Sequence, residues 1–126
     1  MSTSLKPLET IPALEEATLR DCTLGEPALV QEILDLYKED VPKRLQRASL
    51  SLQNNQFSEF HFEIHSIKGS SGSIGARQME EVAKAMIELL KEERGAECEP
   101  LFEQLQQTFT LFLDCYNNLQ ERQFKL

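Results

Sequence analysis

The chain has 126 residues, and 40% of them are hydrophobic. That is enough for one packed core, in a length that leaves little room for a second. Acidic residues outnumber basic ones 21 to 13, a formal charge of −8, and the excess is spread evenly rather than held in a tail. A nucleic-acid binder needs a basic footprint that this composition lacks. No apolar run is long enough for a membrane span, and residues 1–10 have neither the basic nor the apolar segment of a secretory signal. Cys22, Cys98 and Cys115, odd in number and widely spaced, are not a disulfide framework. They read as small core fillers.

Apolar residues recur at helical spacing almost throughout, and no stretch alternates as a strand does. A short first helix is predicted over residues 13–20, with Pro12 suited to a first helical position. A second is predicted over 26–53, with Val30, Leu34, Tyr37, Val41, Leu45, Ala48 and Leu52 on one stripe. Pro42 falls inside it and should bend rather than end it, because the stripe stays in phase on both sides. Lys43, Arg44 and Arg47 are either a solvated face partnered by Glu39 and Asp40 or a minor steering patch. Asn54 and Asn55 mark the turn.

The third helix is predicted over 56–71, with Phe57, Phe60, Ile64, Ile67 and Ser71 inward, and Gly72 to Gly75 breaking it. The fourth covers 76–94, with Met79, Val82, Ala83, Met86, Leu89 and Leu90 inward and Gly95 as its stop. The fifth covers 96–121, striped by Phe102, Leu105, Phe109, Phe112, Tyr116 and Leu119. Long helices joined by short turns are antiparallel neighbours. The expected fold is all-α: an antiparallel up-down-up-down four-helix bundle with a short additional N-terminal helix across one end. It forms a single domain over 1–126 with an ordered core of about residues 10–122.

Such a bundle has no deep pocket by default, which counts against a metabolic enzyme. The chemistry concentrates in residues 61–76, which hold both histidines of the chain. Ile64, Ile67 and Ser71 point to the core. His65 shares the surface face with His61, Lys68, Gly69 and Gly72. Glycine costs about 1 kcal/mol in a helix interior, so Gly69, one turn after His65, is a concession to something outside the helix: it lets another surface approach the imidazole. Lys68 reaches the same space. A lysine beside a histidine repels a cation and suits a dianion such as a phosphoryl group. The imidazole is a competent nucleophile, because its ordinary pKa of about 6.5 leaves neutral ring plentiful near pH 7. His61 and His65 have a metal-ligand spacing, but no third or fourth ligand is evident. His61 reads as part of a docking rim. Ser70 can donate to the backbone or a neighbouring helix.

The run His65, Lys68-Gly69-Ser70 and Gly75-Ala76 on a helix of such a bundle resembles histidine-containing phosphotransfer (HPt) domains of multistep two-component phosphorelays. The five-helix order resembles them over about residues 10–122. The resemblance implies that His65 is the phosphoacceptor, acting through Nε2, with Lys68 on the phosphate side, Gly69 clearing the docking space and Ser70 beside it. It implies a relay intermediate that accepts a phosphoryl group from a receiver-domain aspartate and passes it to another. The expected partners are receiver domains of a hybrid histidine kinase and of response regulators. No cofactor is expected on this chain, Mg2+ belonging to the partner receiver, and no autonomous kinase or hydrolase activity is expected, since the glycine-rich phosphate loop of an ATP site is missing. A cytoplasmic monomer is expected, with nuclear access open to a eukaryotic member.

Many members of that family place Gln or Glu on the next helix to orient the imidazole. The matching position here is Ile87, on a stripe with Lys84 and Lys91, and Lys91 is a candidate for a second positive charge. Ile11, Leu14 and Leu24 either complete the docking surface or seal the bundle end. The competing function is a degenerate, non-phosphorylated adaptor that only binds receiver or kinase domains. Retention of His65 and Lys68 argues against it, and Ile87 argues for it.

Overall fold

The computed structural model describes residues 8–119 and 121. A 3-10 turn (Leu8–Thr10) leads to α1 (Glu16–Cys22), α2 (Pro27–Gln53), α3 (Phe57–Ile74) and α4 (Arg77–Lys91). A second 3-10 turn (Gly95–Cys98) precedes α5 (Glu99–Leu119). Helices α2 to α5 make the up-down-up-down bundle. α3 is packed between α2 and α4, α5 lies against α4, and α1 rests on α3. The expected fold is therefore the one observed. The end of α5 predicted beyond residue 119 and the residues before Leu8 lie largely outside the described residues.

The predicted stripes meet in one core. Leu34 and Val41 of α2, Phe60, Ile64 and Ile67 of α3, Met79, Val82 and Met86 of α4, and Leu105, Phe112 and Tyr116 of α5 are all shut off from solvent. Each large side chain so buried stabilises the fold by about 1.5–3 kcal/mol. Tyr37 ties α2 to the other three helices of the bundle. Its ring meets Phe112 edge-on at 5.0 Å, and its hydroxyl lies 2.6 Å from Ser71 Oγ and donates to Met79 Sδ at 3.0 Å. Ser71 is thus a core residue whose hydroxyl is satisfied. Pro42 is carried within α2.

The helix ends differ from the sequence expectation in three places. α3 does not break at Gly72 but runs to Ile74. Packing on both flanks outweighs the glycine penalty, and the stop comes at Gly75, whose φ of 90° is left-handed, with Ala76 N–H returning to the Ser71 carbonyl. α4 stops at Lys91, ahead of the predicted residue 94, and Gly95 is not its cap. Glu93 takes the left-handed position with φ 57°, and Arg94 N–H closes onto the Leu89 carbonyl. α1 starts at Glu16 rather than near Ala13, because the preceding backbone is committed to docking. Glu15 N–H donates to the Gly75 carbonyl, Gln78 N–H to Pro12, and Gln78 Nε2 to the carbonyls of Leu8 and Ile11.

Arg77 completes this junction. It donates to Glu15, Thr18, Glu80 and the Gly72 carbonyl, so one guanidinium joins α1, α3 and α4. A Cβ at Gly75 would sit 2.5 Å from the Glu15 carbonyl oxygen, a backbone atom with little freedom to move. Gly75→Ala combines that clash with a left-handed φ. It is expected to lower stability by about 2–4 kcal/mol; an unchanged urea midpoint would show that the α1 junction yields freely.

Candidate functional site

Because α3 is packed on both flanks, its remaining face is open. His65 and Gly69 are exposed there and Lys68 is half-buried. Among the described residues, neither the His65 imidazole nor the Lys68 ammonium has a hydrogen-bond or ion-pair partner. A Cβ built on Gly69 meets nothing within 4 Å. The fold itself therefore does not require glycine at that position. Gly72, a turn farther on, is different: its Cβ would come 2.6 Å from Glu80 Oε2, which Arg77 holds in place.

The α3–α4 register is fixed at two points. Gly72 lies over Glu80, and at the far end the Phe57 ring lies where a Cβ on Gly95 would be, 2.5 Å away. Gly95 itself lies in the 3-10 turn beyond the end of α4 at Lys91. Counted from the Gly72–Glu80 approach along two antiparallel helices at about 1.5 Å per residue, Lys84 falls near the level of Lys68, Ile87 near that of His65 and Lys91 near that of His61. Ile87 is 6% exposed and part of the core, so α4 offers His65 an apolar neighbour at that level. The group nearest in kind is His61, half-buried, whose ring stands perpendicular to that of His65 with centroids 6.1 Å apart.

The remaining predicted residues divide. Lys91 is exposed at the end of α4. Ser70 lies on the other side of α3. Its hydroxyl donates to the Ile67 carbonyl at 3.3 Å, and it lines a groove of about 620 Å3 between α2 and α3 with Ile33, Leu36, Lys43 and Arg44. Leu14 is a correction. It is 9% exposed and packs in the core, because the hydrogen bonds from Gln78 and to Gly75 fasten residues 8–15 over the bundle end. Of the three apolar residues expected around it, Leu24 is the bare one, at 86% exposure.

Sequence reasoning missed the anchor on the α2 side. Glu63 is buried on α3 and accepts from Arg44 Nη1 at 2.9 Å and Arg47 Nε at 2.8 Å. Arg44 also reaches Asp40 at 2.8 Å. The basic cluster on α2 is thus mainly a clamp on α3, not a steering patch. The one acidic residue between Phe60 and Ile64 was the available signal.

A charge pattern follows. Each described arginine is tied to a carboxylate, and Lys38 lies over the Tyr116 ring. Lys43, Lys68, Lys84 and Lys91 have no recorded partner among the described residues, and of these Lys68 shares the α3 face of His65. Among the described residues no group of three or more His, Cys, Asp or Glu side chains is arranged to hold a metal ion. No described helix is long and apolar enough to cross a membrane.

With this geometry in view, comparison with known proteins gives a consistent answer. Residues 32–120 match the Hpt domain, and the chain belongs to that family. It is 36% identical over 61 residues to histidine-containing phosphotransfer protein 5 of Arabidopsis thaliana, covering 46% of this chain and 39% of that protein. It is 34% identical over 58 residues to histidine-containing phosphotransfer protein 2 of the same plant, covering 44% and 37%. The aligned region spans about two fifths of each of these relatives.

The Glu63 clamp has a pH consequence. Burial pushes the Glu63 carboxyl up, but the hydrogen bonds from Arg47 and Arg44 more than reverse this and hold it below the usual carboxylate range. A depressed folded pKa gives stability that is present at neutral pH and lost as pH falls through the folded value. Glu63→Gln should therefore be less stable than wild type at pH 7, by about 1–3 kcal/mol, and the two denaturation curves should converge as the pH is taken down to about 3. A gap that persists at low pH would assign the loss to packing instead.

Proposed function

We propose that the chain is a phosphorelay intermediate that carries a phosphoryl group on His65. The observation that carries this reading is the exposed imidazole, without a hydrogen-bond partner among the described residues, one helical turn before Lys68 and the cleared surface at Gly69. Family membership supports a histidine-borne transfer role, and the names of the two relatives agree with it. In the first step the neutral ring attacks phosphorus through Nε2. The bond from phosphorus to the receiver's aspartyl oxygen breaks as the N–P bond forms, and the carboxylate leaves. The second step reverses this with the aspartate of another receiver. Lys68 offsets charge on the phosphoryl oxygens. Approach of the two acceptors in line supplies most of the acceleration. The partner receiver contributes its own carboxylates and Mg2+, and this chain acts as carrier rather than as kinase or hydrolase.

The adaptor reading draws its support from Ile87, an apolar, buried residue at the position where the family resemblance leads one to expect a polar orienting group. Phosphotransfer separates the two. A phosphorylated receiver should label the wild type with phosphate that is stable to alkali and labile to acid, and His65→Gln should stay unlabelled. Receiver binding without labelling would establish the adaptor; equal labelling of both proteins would move the nucleophile elsewhere.

Gly69 gives an independent check. In an exposed helix interior with open space at Cβ, Gly69→Ala should raise stability by about 0.5–1 kcal/mol while slowing transfer from the receiver on the order of 10- to 100-fold. A variant that is stabilised but transfers at the wild-type rate would mean the partner does not approach over this residue.

A further inference from the structure

The same face holds a second titratable group that the carrier reading does not use. His61 is one turn before His65, its ring 6.1 Å away and perpendicular. It is half-buried at the rim. The residue of α4 near the level of His65 is Ile87, which has no polar side-chain atom. A phosphoryl group on His65 therefore finds two charge partners along α3: Lys68 on the C-terminal side and His61 on the N-terminal side.

We propose that His61 is a pH-dependent positioning residue for the phosphoryl group on His65: its protonated ring pairs with the phosphoryl oxygens and favours the loaded state as the medium becomes mildly acidic. This rests on His65 being the phosphoacceptor. A phosphoryl group brings a charge of about −1.5 to −2 near neutrality. The two ring centroids are 6.1 Å apart, so a phosphoryl group on His65 Nε2 comes within electrostatic range of the His61 ring and favours its protonated form. By reciprocity, the protonated ring favours phosphorylation by the same factor, up to about tenfold.

The surroundings of His61 permit the effect. On its own helix the charged groups on this face are His65 and, farther along, Lys68. From α4, the register brings Lys91 near its level and Glu88 beside it. Arg94, past the end of α4, is committed to Glu92 and Glu97. Glu63, on the flank of α3 toward α2, is committed to Arg44 and Arg47. Among the described residues no carboxylate is paired with His61.

The test uses the whole chain and phosphoramidate, a small donor that needs no receiver. The reagent's N–P bond breaks, a bond from phosphorus to His65 Nε2 forms, and ammonia leaves with a proton. Ring resonances of His61 are followed by NMR against pH before and after loading. Its titration should move up by about one pH unit on phosphorylation. The loading equilibrium of the wild type should gain, relative to His61→Gln, by up to about tenfold between pH 8 and pH 5.5. Comparing the two proteins removes the titration of His65 itself, which both share. His61→Lys, whose charge does not titrate in this range, should keep the gain and lose its pH dependence. A His61 titration unmoved by loading, or His61→Gln with the wild-type pH profile, would overturn this proposal and leave the carrier function intact. Phosphate found on His61 would overturn it too. Absence of label on His65 would overturn both.

Discussion

The site depends on α3 being held in a fixed rotation. Phe60, Ile64 and Ile67 are shut off from solvent, and the helix is packed between α2 and α4. One residue of slip turns a helix by about 100°. Such a slip would carry an imidazole toward the core and an isoleucine into water. Polar clamps reinforce the same rotation from both sides. Glu63 is gripped by two arginines of α2, and Ser71 meets Tyr37 of α2. Arg77 at the start of α4 binds the Gly72 carbonyl. The open face of α3 is thus a rigid ridge, and the direction in which His65 points is a property of the whole bundle.

The glycines show how that ridge differs from the rest of the structure. At Gly75 the backbone is left-handed and another backbone passes within 2.5 Å of the missing Cβ; at Gly95 an aromatic ring fills that space. These two answer to the protein's own packing. At Gly69 no described atom comes within 4 Å of the missing Cβ. A residue that weakens a helix, at a position where a larger side chain would fit, does not owe its place to packing. The contrast separates glycines that packing requires from one that it does not.

Much of this was legible in the sequence because it rests on periodicity. The stripes from Val30 to Leu52 and from Phe102 to Leu119 are long and regular, so the helices and the bundle followed. His65, Lys68 and Gly69 fell on one face by spacing alone. What the sequence concealed depends on tertiary partners. No local pattern shows that Glu93, rather than Gly95, caps α4, since Gly95 is reserved for the approach of Phe57 from α3. Nor does it show that Gln78 captures the carbonyls of Leu8 and Ile11 and so commits Leu14 to the core. Arg44 and Arg47 looked satisfied by neighbours on their own helix. Their link to Glu63 runs between helices, where side-chain spacing carries no information.

The division of cations follows from the same logic. Arginine has a planar fork of donors that fits a carboxylate at two points, and the described arginines are spent on such ties within the fold. Lysine is a compact, strongly hydrated charge on a flexible stem, poor at fixing geometry but able to follow a moving partner. Lys68 has no partner among the described residues and shares the α3 face of His65, and Lys84 and Lys91 are exposed and equally uncommitted on α4. An incoming anion then has no internal ion pair to break there, and the gain is not offset by a lost salt bridge. In a chain of net charge −8, an uncommitted ammonium group on the face of the imidazole also sets that face apart from the rest of the surface.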